Sequence, residues 1–420
     1  MRILVVSHGY PPTLSGVTLV AQKLARAMAS RGHSVTVVAA SADGTARVED
    51  DQGVRVIRLQ SRSNPFWSDG ALPVVSQTEL RQIIREADPD IVHSHETALL
   101  SLQLLRLGLD REVPLVATCH YLPRFVAQYV GWDGRLDGLA ESIVWEYAIR
   151  LLNQFDHVVF PSKTQATAFT EEGLVVPFTV ISNGVDTDRY RPGLHGVEGV
   201  EARYRLPEGR RMLFVSRLAK DKRVDVLLNS LLHLRQANTH LVLVGTGDDE
   251  PRLKAITGNL ALEGRVHFLG FVPEEDLPSV YRACDLFAIA SECEVQSIPT
   301  LQAAATGLPI VAVDAAALPE LVNDDVNGFL VAPADHRAIA RAVEMILDDS
   351  GRAAAMGRAS LETSRAHGDA ATVDAHELLY RTVIAGYERP RETWSLERPT
   401  GRWSRLLSTS GTQRNQPPDV

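Results

Sequence analysis

Short runs of apolar, β-branched residues alternate with longer amphipathic stretches along most of the chain. Residues 3–7 (ILVVS), 33–40 (HSVTVVAA) and 54–59 (VRVIRL) read as strands, since a short, mainly apolar run fits a strand buried on both faces. Between the first two lies a loop, GYPPTLSG over 9–16, then an amphipathic helix over 17–31 that Gly32 ends. Strand, helix and strand with a short return make a βαβ unit, which requires a parallel sheet. The plan continues with strands at 90–94 and 115–119 around a helix over 96–107. A helix over 137–155 follows. Strands at 157–161 and 179–182 then flank a helix over 162–173, with Ser162 as its N-cap. Residues 191–209 carry no clear period and read as a linker. From 211 the plan starts again, with strands at 211–216, 240–245, 265–270, 285–290 and 308–313, helices between them, and a final helix over 373–387. A chain of 420 residues suits two cores of about 200 residues each. The expected fold class is α/β, with two Rossmann-like doubly wound halves in succession.

One stretch stands out for chemistry. The strand over 285–290 is followed by a polar turn, 291–297, and a helix over 298–305 in which Pro299 sits in the first turn, where its missing N–H costs nothing. Gly307 ends that helix. A strand, a turn and a helix N-terminus make an anion site from free N–H groups and the helix dipole. Glu294 stands at the mouth of the same turn. An anion for the helix and hydroxyls for the carboxylate suit a ligand with a phosphate and a sugar.

Composition narrows the classes. A content of 45% hydrophobic and 23% charged residues is globular, and a net charge of −9 argues against a nucleic-acid partner. Cys119, Cys284 and Cys293 are scattered and odd in number, so they make neither a disulfide framework nor a metal site; a reducing compartment is expected, and Cys293 reads as a buried thiol rather than a nucleophile. The first eight residues read as a strand rather than a targeting segment, and no apolar run is long enough to span a membrane. The first loop holds no dinucleotide fingerprint, and no P-loop motif occurs. Asp88 and Asp90 resemble a D-x-D metal pair by letters, but at a helix end before a strand they read as turn chemistry. Residues 248–250 (DDE) read as acids favouring a helix start. Residues 389–420, rich in Pro, Ser, Thr, Gly and Arg, read as a disordered tail, with Trp394 and Trp403 as a weaker membrane or partner contact.

The stretch EVQSIPTLQAAATGLPIVA, residues 294–312, resembles the donor-site motif of retaining glycosyltransferases of family 4, which have the two-Rossmann GT-B fold. The family pattern is a Glu, seven residues and a second Glu, followed by A-x-x-x-G-x-P-V-V-A. Glu294 fills the first position and Gln302 stands at the second, where the family holds ribose. A Gln can still hydrogen-bond a hydroxyl, without charge. Ser216-Arg217-Leu218 with Lys222 is similar to the family's G-R-L-x-x-x-K-G, with Arg223 in place of the last Gly. The segment GYPPTLSGV resembles the family's first loop, ISNGVD over 181–186 its exit from the first half, and residues 244–247 and 266–272 its nucleotide-side loops.

The resemblance covers residues 1–387 and implies a division at 1–183, 184–209 (linker), 210–370 and 371–388, the last a helix crossing back to the first half. It implies a metal-independent hexosyltransferase without cofactor, which takes sugar from a nucleoside diphosphate, UDP ahead of GDP, with retention. The residues it assigns to catalysis are His120, Arg217, Lys222 and Glu294. Arg217 and Lys222 would hold the departing diphosphate, where positive charge is needed as the bond breaks. Those it assigns to the donor are Gly16, Gly247, Phe271, Val272, Gln296, Ser297, Ile298 and Gln302, with the base read by backbone near Phe271 and Val272. His120 ends a strand, where ligands of open α/β sheets lie; His93 and His95 are weaker candidates. Residues 121–136 (YLPRFVAQYVGWDGRL) are placed to form an acceptor wall whose aromatics suit sugar rings or lipid chains. The acceptor stays open between lipid, glycan and small metabolite, and the expected location is cytoplasmic, with peripheral membrane contact as an option. Glu320 reads as structural. A non-catalytic sugar-nucleotide binding protein on the same scaffold is the competing reading, with Gln302 as its feature; a sugar-nucleotide epimerase is a third.

Overall fold

The strands predicted from apolar runs form two parallel sheets because each is covered by helices on both faces. The computed structural model describes residues 1–13, 15–63, 71–107, 113–123, 137–193 and 197–388. The first sheet contains β1 (Arg2–Ser7), β2 (Ser34–Ala40), β3 (Arg47–Asp51) and β4 (Val54–Leu59). A separate hairpin, β5 (Ser61–Ser63) with β6 (Ala71–Pro73), follows. The sheet resumes with β7 (Ile91–Ser94), β8 (Leu115–Thr118), β9 (His157–Phe160) and β10 (Phe178–Val180), in the order β10-β9-β8-β7-β1-β2-β4-β3. All pairs are parallel except β3 with β4. The second sheet holds β11 (Arg210–Val215), β12 (Thr239–Val244), β13 (Val266–Gly270), β14 (Leu286–Ile289), β15 (Ile310–Val313) and β16 (Gly328–Val331), ordered β13-β12-β11-β14-β15-β16 and parallel throughout.

Each sheet reverses its winding once, between β1 and β7 in the first and between β11 and β14 in the second. At such a point the loops leaving two neighbouring strands run in opposite directions and open a crevice at their carboxyl ends. The loop with Arg217 leaves β11, and the turn with Glu294 leaves β14. Both therefore meet at the switch point of the second sheet.

The chain passes from the first half to the second at Val185 and returns at Gly368. The two crossings are tied by Val185 N donating to His367 O at 2.9 Å and Asp369 N donating to Val185 O at 3.0 Å. The helix Asp369–Gly386 then buries Val373, Leu379 and Tyr380 in one core with Ile3, Val5, Leu24 and Met28. Lys23 pairs with Asp369 at 2.6 Å, and Arg31 with Asp374 at 2.6 Å and Glu377 at 2.9 Å.

Several expectations need correction. Residues 191–209 are not a featureless linker: the helix Val197–Tyr204 lies within them, and Val200 and Leu206 are buried in the core of the second half. The first α-helix after β11 is short: it runs over Val224–Ser230 and tightens into a 3₁₀ turn, Leu231–His233. Asp249 does not cap the next helix through its side chain; it takes a two-pronged bond from Arg252 at 2.6 and 2.7 Å. Cys119 and Cys284 are buried, but Cys293 is only half-buried. Asp88 and Asp90 bind the Arg2 guanidinium, and Asp88 takes the left-handed conformation that ends the helix Gln77–Ala87.

Two glycines are demanded by backbone packing. Gly245, at φ +129°, has no room for a side chain: a Cβ would lie 1.9 Å from Ser216 O. At Gly247 it would lie 2.3 Å from Leu218 O. Both press against the loop that carries Arg217. Gly245→Ala should therefore displace that loop and lower stability by about 1–3 kcal/mol, read as a drop in the urea midpoint at unchanged slope.

Candidate active site

The helix Ile298–Ala305 begins as the sequence suggests. Ser297 is its N-cap, accepting from Thr300 N at 3.3 Å and from Thr300 Oγ1 at 2.8 Å, and Pro299 lies in its first turn. Gly307 follows it at φ +77°. Among the described residues, the N–H groups of 295–298, which follow Glu294 in the chain, donate to no other residue.

Lys222 Nζ lies 2.8 Å from Glu294 Oε1, with Asp221 3.4 Å away. Both side chains are nearly buried, at 13% and 11% exposure. Burial works against the Lys222 charge, but the Glu294 and Asp221 carboxylates outweigh it and hold the ammonium above its ordinary pKa. Arg217, earlier in the same loop, is exposed, and no carboxylate pairs with it among the described residues. Arg223 occupies a left-handed conformation, φ +48°, and its guanidinium is held by Glu292 at 2.7 Å. That conformation favours glycine, which accounts for the Gly of the motif at this position.

Gln302 lies one turn further along the helix. Its Oε1 accepts from the buried Tyr281 hydroxyl at 3.0 Å, which also reaches Pro299 O at 3.2 Å. This leaves the amide N–H donors of Gln302 for another partner. Gln296 is engaged elsewhere: its Oε1 accepts from Asn183 N at 2.6 Å and Ser182 Oγ at 3.2 Å, at the exit from the first half. Ile298 is half-buried, Val272 is buried, and the Phe271 side chain is 61% exposed. A Cβ on Gly16 would meet nothing within 4 Å, so packing does not require glycine there.

His120 lies at the carboxyl end of the first sheet, half-buried, with Nε2 3.0 Å from His95 Nδ1. His93 has both ring nitrogens engaged, with Tyr380 Oη at 2.6 Å and Thr118 Oγ1 at 2.7 Å. It joins the last helix to the sheet. Of the expected acceptor wall, residues 124–136 lie outside the described residues; Leu122 is buried, and Tyr121 O accepts from Gln165 Nε2 at 2.8 Å. The residues 389–420 also lie outside the description.

The family described as Glycosyltransferase Family 4 matches residues 14–189, and that described as Glycosyl transferases group 1 matches residues 202–363. The chain belongs to the family 4 glycosyltransferases. The GDP-mannose-dependent alpha-(1-6)-phosphatidylinositol monomannoside mannosyltransferase of Mycobacterium tuberculosis is 28% identical over 86% of this glycosyltransferase and 93% of its own length. The D-inositol 3-phosphate glycosyltransferase of Salinispora tropica is 34% identical over 66% of this chain and 60% of its own. Among solved structures, the sucrose-phosphate synthase of Thermosynechococcus elongatus superposes with a TM-score of 0.78 at 20% identity, over 92% of this chain and all of that one. The structure of Anabaena HepE with UDP-glucose gives 0.73 at 20% identity, over 90% and 99%. These likenesses establish the GT-B fold expected from the motifs.

Glu320, read as structural, makes a structural contact whose reach the sequence of this glycosyltransferase does not show: its carboxylate accepts from Lys163 N at 2.9 Å and Thr164 N at 2.6 Å in the other half. A Glu three residues into a short turn carries no signal of such a role.

Burial pushes the imidazoles beside the first sheet down: His120 to about 3, His376 to about 4, His93 and His95 well below the usual 6.5, and His8 in the same direction. Each binds a proton more readily unfolded than folded. Their contribution to stability is thus present above pH 6.5 and lost as pH falls below it. The melting temperature should decline from pH 6.5 to pH 5, and the His120 resonances should show no titration between pH 5 and 8 in a histidine-labelled NMR sample. A flat melting profile over that window would contradict the assignment.

Proposed function

We propose that this glycosyltransferase moves a hexose, with retention, from a nucleoside diphosphate sugar to a hydroxyl of its acceptor. One observation carries the reading: the nearly buried Lys222–Glu294 pair sits at the switch point of the second sheet, in the same loop system as the exposed Arg217. A buried charge is costly to leave bare. A phosphate oxygen for Lys222 and sugar hydroxyls for Glu294 are partners that can replace the pair without stranding either group. Arg217 and Lys222 would then stabilise the diphosphate as the bond from its oxygen to the sugar C1 breaks. The acceptor oxygen bonds C1 on the same face, and its proton passes to the leaving phosphate oxygen. The N–H groups of 295–298 support the same placement of the diphosphate.

The relatives named for GDP-mannose support a GDP-hexose at the head of the donor panel, ahead of the UDP-sugar that the sequence suggests. The names of relatives that act on inositol phosphate or on a phosphatidylinositol mannoside support a polyol or lipid-linked hydroxyl as acceptor. No helix among the described residues is long and apolar enough to cross a membrane. A lipid acceptor would be met at the membrane surface, from the cytoplasmic side.

Release of nucleoside diphosphate from GDP-mannose, UDP-glucose and ADP-glucose, with and without a lipid extract, tests this reading. One donor should turn over, faster with acceptor present. Lys222→Ala and Glu294→Ala should each lose about 10²–10³-fold in kcat, the size expected for one charge-stabilising contact, and Glu294→Ala should still bind the nucleotide in calorimetry. Nucleotide binding without release from any donor would sink the proposal.

A further inference from the structure

Glu320 ends a 3₁₀ turn of the second half, Leu318–Glu320. Its carboxylate binds the first two N–H groups of the helix Lys163–Glu171, which belongs to the first half. The third, Gln165 N, goes to Oγ of the helix's own N-cap, Ser162, at 3.3 Å. One helix N-terminus is thus capped jointly by both halves. A carboxylate is the favoured partner there, because the free N–H groups and the helix dipole both attract negative charge.

The turn carrying Glu320 is also tied to the candidate donor turn. Ala317 N donates to Glu294 O at 3.1 Å, while the Glu294 carboxylate holds Lys222. A second bridge leaves the same donor turn, from Gln296 to Ser182 and Asn183. Val295 packs against the core of the first half. The donor turn is therefore flanked by two polar junctions between the halves. The junctions differ in depth. Asn183 N and Gln296 are buried, whereas the two bonds of Glu320 lie nearer the surface, that from Lys163 N exposed and that from Thr164 N part-buried. When the halves part, water can replace the bonds of Glu320 at little cost, so this junction can form and break reversibly.

We propose that Glu320 is a positioning residue: it holds the helix Lys163–Glu171 against the second half and so keeps the halves closed over the donor turn. Closure would shield the reacting atoms from water and limit donor hydrolysis. The activity arm of the test rests on the proposed function; the scattering arm does not.

Small-angle scattering of the full chain would be recorded for wild type, Glu320→Ala, Glu320→Gln and Ser162→Ala, each with and without saturating GDP or UDP. Loss of a charged helix cap should lower the ratio of closed to open forms about tenfold in Glu320→Ala, seen as a larger radius of gyration. Glu320→Gln keeps an acceptor but no charge and should lie between. Ser162→Ala removes a cap on the same helix within one half; it should lower the melting temperature and leave the radius unchanged. In turnover, Glu320→Ala should raise the donor KM about tenfold and the fraction of donor lost to hydrolysis, with kcat at saturating donor within about threefold. Superposable scattering for wild type, Glu320→Ala and Glu320→Gln would overturn the proposal. So would Ser162→Ala opening the halves as far as Glu320→Ala, since helix capping alone would then explain the effect. Wild type that neither binds nucleotide nor turns over any donor would count against the proposed function, and the scattering comparison would still decide on Glu320.

Discussion

A parallel strand can be joined to its neighbour only by a connection that climbs back over a face of the sheet. That constraint governs this molecule twice. It collects the loops that leave the strands at one edge of each sheet, and the change of winding at the centre parts two of them. In the second sheet those two carry Arg217 with Lys222 and Glu294. Residues 72 apart in sequence are brought to 2.8 Å by topology, before any ligand contributes. The middles of the strands beneath are buried (Leu213, Phe214, Phe287 and Ala288 are closed to solvent), so the charged loops rest on a close-packed floor.

What could be read from the sequence follows from where the information is local. Apolar runs gave most strands to within two residues, and the helix Ile298–Ala305 was legible because its early proline and the glycine beyond it are local signals. The strand β3, RVEDD, was not legible: it is an edge strand with an exposed face, and its charges hide the period. The helix Val197–Tyr204 was missed because only Val200 of its eight residues is buried. Amphipathicity needs more turns than that to show.

The site divided the same way. Motif spacing put Arg217, Lys222 and Glu294 together, and the structure brings Lys222 and Glu294 into contact. Gln296 and Ser297 looked alike as polar residues of one turn, but they differ in use. Gln296 binds the segment leaving the first half and Ser297 caps a helix, a distinction set by long-range geometry. Gly247 looked like a ligand contact and is already required by the Leu218 main chain. The reach of Glu320 to Lys163 spans 157 residues and both halves, and no local pattern encodes it.

The placement of the last helix has a consequence for synthesis. Tyr380, Leu379 and Val373 form part of the wall around Ile3, Val5 and Met28, and Tyr380 Oη bonds His93 beneath it. The wall comes from the far end of the described chain, so the first half cannot close its core as it leaves the ribosome. The second sheet can be complete while the first still shows water an apolar face and an unbonded His93 ring nitrogen. In this chain the half that is made first is the half that is finished last.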